Sequence, residues 1–137
     1  MNRRELKNLA MTRLKEVEVL LKNRQYSGAY YLSGYVIECG LKACIAKQTS
    51  KFDFPDKKTV TDSYTHDLEK LVKVAQLYPT LETARRSDPD FANNWLVVKD
   101  WSEESRYQKY SRQEATAIYL AITDPNQGVL QWVQQHW

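Results

Sequence analysis

The chain has 137 residues, of which 42% are apolar and 12% aromatic. That is enough to bury a core and excludes a disordered chain. Four glycines and four prolines can punctuate few turns, which favours a handful of long helices over many short strands. The net charge of +3 is uneven: residues 1–24 hold seven Lys/Arg against three Glu, while the rest holds thirteen basic against fourteen acidic residues. So small an excess reads as a solvated helix face before it reads as a nucleic-acid surface.

The charged N-terminus lacks the apolar block of a signal peptide, and no stretch is long enough to span a bilayer, so a cytoplasmic protein with no membrane partner is expected. A first helix is predicted over residues 3–23, with Leu6, Leu9, Leu14, Val17, Leu20 and Leu21 as its apolar stripe. A second follows over residues 26–47 and differs in kind. Residues 29–47 are almost wholly apolar or small and carry one carboxylate, Glu38, which shares a helical face with Tyr31, Gly34, Leu41 and Ile45. A helix apolar on most sides is the central one. Its small residues Ala29, Ser33, Gly34, Gly40 and Ala43 let neighbouring backbones approach. Cys39 and Cys44 point to different faces and read as small core side chains.

Residues 49–63 read as a loop. A third helix begins near Thr65 or His66 with Asp67 in its first turn, buries Leu68, Leu71, Val72 and Ala75, and ends at Pro79. Asp88-Pro89 is an N-cap followed by a first-turn proline, opening a helix through Phe91, Trp95 and Val98 towards Trp101. Ser111 with Glu114 is a capping-box pattern for a helix bearing Ala115, Ile118 and Ile122. Asp124-Pro125 kinks that helix or starts another that carries Leu130, Val133 and Trp137. The expected fold is all-α: one domain over residues 1–137, an antiparallel up-and-down bundle of four to five helices.

No cofactor or metal is implied. A di-iron bundle needs Glu-x-x-His pairs, and neither His66 nor His136 has a carboxylate three residues before it; a zinc site would have to recruit Cys39, Cys44 and His66 in poor geometry. There is no glycine-rich phosphate loop and no nucleophile elbow. What remains is the cluster over residues 101–110, WSEESRYQKY, where Arg106 has Trp101, Tyr107 and Tyr110 as aromatic neighbours. Such an arginine suits an oxyanion, or it reaches inward to pair with Glu38, since a buried charge is normally paired. Glu38 can also pair with Lys42 in the favourable i to i+4 order. His66 reads as a capping or surface histidine, and Glu103 and Glu104 as a solvated face.

Residues 30–43, YYLSGYVIECGLKA, resemble the second-helix signature of bacterial and archaeal HEPN domains, and His66-Asp67-Leu68 and Trp101 with Ser105-Arg106-Tyr107 are similar to two further stretches of that group. The resemblance implies a helical bundle that forms a homodimer. Many such proteins are metal-independent ribonucleases, often toxins paired with a nucleotidyltransferase antitoxin; others bind nucleotides or protein partners. In the ribonucleases an Arg and a His on a late helix are separated by four to six intervening residues, and a polar residue of the second helix supports the Arg. Arg106 and Glu38 match those positions, but the window after Arg106 holds Ser111, Arg112 and Gln113, with Tyr110 one residue early. Metal-free RNA cleavage needs one group to take the 2′-OH proton and another to protonate the leaving oxygen. Imidazole suits both, and a phenol of pKa about 10 does not. The leading expectation is a HEPN-like module that binds RNA, a nucleotide or a protein partner through a degenerate nuclease site, with Glu38, Lys42, Trp101 and Tyr107 in binding or support. The alternatives are an active endoribonuclease using Arg106 with Tyr110 or His66, and a purely structural interaction module.

Overall fold

The computed structural model describes residues 1–49 and 56–137. Among the described residues it forms eight α-helices and one 3-10 helix, with no strand. The first helix, α1 (Arg3–Lys22), opens on a capping box in which the Asn2 side chain accepts from the Glu5 N–H and the Glu5 carboxylate accepts from the Asn2 N–H, both at 2.9 Å. It stops without a glycine. Arg24 takes the left-handed conformation at φ 60°, its N–H bonds the Leu21 carbonyl, and the Gln25 N–H bonds that of Leu20.

Helix α2 (Tyr26–Thr49) is the central element. It packs against α1, α4 (Leu68–Val74), the 3-10 helix (Glu103–Tyr107), α7 (Arg112–Thr123) and α8 (Val129–Gln134). Val36, Ile37 and Leu41 on α2 meet Leu68, Leu71, Trp95, Ile118 and Ile122 in one buried core. On α1, Ala10 and Val17 are fully buried, and the leucines of the stripe are half-buried. No helix among the described residues is long and apolar enough to cross a membrane.

The helix count exceeds the expected four to five because the region between α2 and Asp88 breaks up. The loop expected over 49–63 contains α3 (Lys57–Asp62), and its residues 50–55 lie outside the described ones. Asp67 is the N-cap of α4 rather than a first-turn residue, its carboxylate accepting from the Lys70 N–H at 3.0 Å. Pro79 does not end that helix. Gln76, left-handed at φ 60°, ends it, and Pro79 sits in the first turn of α5 (Tyr78–Ser87), where its missing N–H leaves nothing unsatisfied. Asp88 caps α6 (Pro89–Lys99) and Ser111–Glu114 forms the capping box of α7, both as expected. Asp124-Pro125 makes a turn before α8.

Two glycines of α2 admit side chains rather than backbones. A Cβ on Gly34 would lie 1.9 Å from the indole of Trp101, and one on Gly40 would lie 2.8 Å from Val133 Cγ1. Trp101 is beyond α6, buried on the Gly34 notch, and its indole N–H donates to the Tyr31 carbonyl at 3.0 Å. This contact seats the chain after α6 on α2. Gly34→Ala is therefore expected to destabilise by about 3 kcal/mol, because the ring has to leave its notch. Gly28→Ala, whose new Cβ would meet nothing nearer than 3.5 Å, is expected to gain about 0.5 kcal/mol from lower backbone entropy. Urea unfolding of the two variants checks the contrast, and a Gly34→Ala protein as stable as wild type would contradict the Trp101 contact.

Candidate functional site: a carboxylate–histidine–carboxylate array

Glu38 lies at the middle of α2 with only 6% of its side chain exposed. Ionised there, it needs partners. One oxygen, Oε1, is 2.6 Å from His66 Nδ1, and the other, Oε2, is 3.6 Å from Lys42 Nζ. The i to i+4 pairing with Lys42 is as expected. The pairing with Arg106 is not made: the guanidinium is 47% exposed, lies 3.6 Å from Glu103 Oε2, and sits over the Tyr107 ring at 5.3 Å. The reason is local geometry. Trp101 and the buried Ser105 fix the 3-10 helix on α2, and Arg106 stands in its last turn, facing outward. His66 takes the place expected for Arg106.

His66 is held by the segment that enters α4. The Asp67 N–H donates to Thr65 Oγ1 at 3.2 Å while its carboxylate caps the helix, which leaves the ring of the residue between them turned back towards α2. It is neither a cap nor a plain surface residue. Its second nitrogen, Nε2, is 3.0 Å from Glu103 Oε2. The Nδ1 contact is a hydrogen bond, and the Nε2 contact brings a second carboxylate against the other side of the ring. The result is a chain in which basic and acidic side chains alternate: Lys42, Glu38, His66, Glu103, Arg106. Tyr35 closes it on the inside, its ring edge-on to both His66 and Trp101, with its hydroxyl 3.2 Å from that of Tyr31. Burial, and then that hydrogen bond, push the Tyr35 phenol well above its ordinary range.

The array lies on the wall of an open cleft of about 660 Å³, lined by His66, Trp101 and Glu103 on one side and by Lys70, Lys73 and Lys99 among others. Lys73 and Lys99 both lean on Glu69, at 3.6 and 3.5 Å. Beside the array, Tyr107 leaves 77% of its surface in solvent. On the other side of Glu38 a smaller, more apolar cleft of about 420 Å³ is floored by Glu38, Cys39 and Lys42.

Tyr110 is not part of this site. Its ring stacks on Tyr30 with centroids 3.7 Å apart, its hydroxyl donates to Gln108 Oε1 at 2.8 Å, and its N–H donates to Ser27 Oγ. Burial raises its pKa, which leaves it a phenol at neutral pH and unfit as a general base. Glu103, the residue that joins His66 to Arg106, was expected only on a solvated face. Its spacing of three from Arg106 was the available signal. No group of His, Cys, Asp and Glu among the described residues is arranged to hold a metal.

No family model matches the chain, and no curated protein or solved structure matches it either. The HEPN resemblance therefore stands on residues 30–43, 66–68, 101 and 105–107 alone.

Two expectations follow. Removing Glu38 leaves His66 and Lys42 without their buried counter-charge, so Glu38→Ala costs about 3 kcal/mol. The cycle of Glu38→Ala with His66→Ala is coupled by about 1 kcal/mol or more, while Glu38→Ala and Arg106→Ala add within about 0.5 kcal/mol. Chemical denaturation of the single and double variants measures both, and coupling of Glu38 to Arg106 but not to His66 would contradict the array. Secondly, burial pushes the thiols of Cys39 and Cys44 up to about 11, so a thiol reagent at pH 8 is expected to label the native chain only after denaturant is added.

Proposed function

We propose that this chain is a HEPN-like module that binds single-stranded RNA or a nucleotide at the His66–Arg106 edge of the array. The observation that carries this reading is the convergence of His66 Nε2 and Arg106 Nη2 on one acidic oxygen, at 3.0 and 3.6 Å, beside the exposed ring of Tyr107. Two nitrogen donors focused on one point suit a phosphate oxygen, and Arg presents its donors in a fork that matches phosphate. An exposed aromatic next to such a pair offers a stacking face to any base, independent of sequence. Glu38 and Lys42 support the site from below: Glu38 orients the imidazole through Nδ1, and Lys42 balances Glu38. Trp101 positions the 3-10 helix that carries Arg106 and Tyr107. Homodimerisation and a nucleotidyltransferase antitoxin partner belong to this proposal through the resemblance alone.

Binding without cleavage is favoured because the site offers one imidazole, with both nitrogens already engaged by carboxylates. Cleavage needs separate proton acceptor and donor roles. One observation supports a second reading, the metal-independent endoribonuclease. His66, remote from Arg106 in sequence, shares an oxygen with it in space, and a histidine backed by a carboxylate is a competent general base.

Fluorescence anisotropy with a labelled single-stranded oligoribonucleotide tests the binding reading. Arg106→Ala and His66→Ala are each expected to weaken binding about tenfold, roughly the 1.4 kcal/mol of one charge-assisted contact, with the RNA recovered intact in EDTA. Failure of the wild-type chain to bind overturns the proposal. Cleavage in EDTA that His66→Ala abolishes transfers the assignment to the ribonuclease.

A further inference from the structure

His66 meets a carboxylate on each side of its ring. Glu38, buried and 2.6 Å from Nδ1, holds it from the inside, with Lys42 on the other Glu38 oxygen. Glu103 approaches the same ring from the solvent side. It is 35% exposed, and a single one of its oxygens, Oε2, takes both the His66 and the Arg106 contact. Its backbone is fixed: Trp101 is locked in the Gly34 notch two residues before it and Ser105 is buried two residues after it. The side chain is not fixed in the same way, because it stands at the open wall of the cleft and can rotate into that space while the 3-10 helix stays in place.

We infer that Glu103 Oε2 occupies the seat of a phosphodiester oxygen, and that Glu103 competes with the ligand for His66 and Arg106. The inference rests on the phosphate-binding reading given above and adds its regulation. A phosphodiester carries the same single negative charge as the carboxylate it displaces, and its oxygens accept hydrogen bonds as carboxylate oxygens do, so it can take over the contacts that Glu103 gives up. An uncharged ligand gains less by it, because displacing Glu103 would leave Arg106 without its carboxylate. The same arrangement recurs elsewhere on the cleft wall, where Glu69 holds both Lys73 and Lys99. Lys73 and Lys99 are thus paired from within, as Arg106 is, and an anionic chain reaches them by exchange. An exposed ion pair of this kind is a modest competitor, so the open form remains accessible and apparent affinity is reduced by the fraction of time the seat is filled.

Glu103→Gln removes the charge and keeps the size. Inorganic phosphate titrated against the full chain, read from the ring resonances of His66, is expected to bind the variant about fivefold more tightly than wild type, and the gain disappears in the Glu103→Gln, Arg106→Ala double variant. Circular dichroism at the start of each titration checks that Glu103→Gln is folded. Equal phosphate affinity in wild type and Glu103→Gln, or no response of His66 in either, overturns the inference. The oligoribonucleotide assay run on the same proteins keeps the two claims apart. If Arg106→Ala and His66→Ala lose RNA while Glu103→Gln binds like wild type, the binding reading stands and the competitor role is wrong. If no form binds RNA yet phosphate still separates Glu103→Gln from wild type, the competitor role stands and the RNA reading is wrong.

Discussion

Glu38 is a carboxylate set in the wall of the most buried helix of the molecule, and the arrangement around it follows from keeping that charge satisfied. Removing a carboxylate from water costs several kcal/mol unless charged partners replace the solvent. Lys42, one turn on, supplies a partner from the same helix at 3.6 Å. The second, at 2.6 Å, comes from a segment 28 residues away, which must run back across α2 so that His66 faces inward. The Thr65–Asp67 turn and the cap on α4 hold it there. Once His66 is fixed by Glu38, its outer nitrogen has one direction left to point, and Glu103 meets it.

The second constraint is steric and lies one turn earlier on α2. Gly34 leaves a notch that the Trp101 indole fills, and the indole N–H ties the ring to the Tyr31 carbonyl. Tyr35 touches both Trp101 and His66 edge-on, so the notch and the buried charge share a wall. Together they place the 3-10 helix, and that helix carries Glu103, Arg106 and Tyr107. The candidate site is therefore a consequence of two features of a single helical face, Gly34 and Glu38.

The helices with strong local signals were legible in the sequence. The caps at Asp88 and Ser111, the apolar run of α2 and the inner face of α4 follow from side-chain chemistry within a few residues. What was not legible depended on unusual or distant contacts. The break between α4 and α5 uses Gln76 in a left-handed conformation, where glycine is the usual residue, so Pro79 read as an end when it opens the next helix. At the site, the need for a partner to Glu38 was visible, and Lys42 was found by spacing. Arg106 was the wrong distant partner because its outward direction is set by the Trp101–Gly34 contact, which no local pattern encodes. His66 was the right one because the fold brings it there. Tyr110, adjacent to Arg106 in the sequence cluster, turns to stack on Tyr30.

The functional reading joins these observations to the HEPN resemblance, in which Arg106 has no histidine at the expected spacing. In space His66 stands beside Arg106, on the far side of one carboxylate oxygen. The most direct measurement is a crystal structure of the full chain soaked with a short oligoribonucleotide. A phosphate oxygen is expected between His66 Nε2 and Arg106, with the Glu103 side chain turned into the cleft and the Glu38–His66 contact unchanged. Nucleotide bound elsewhere, with Glu103 still holding both His66 and Arg106, would contradict it.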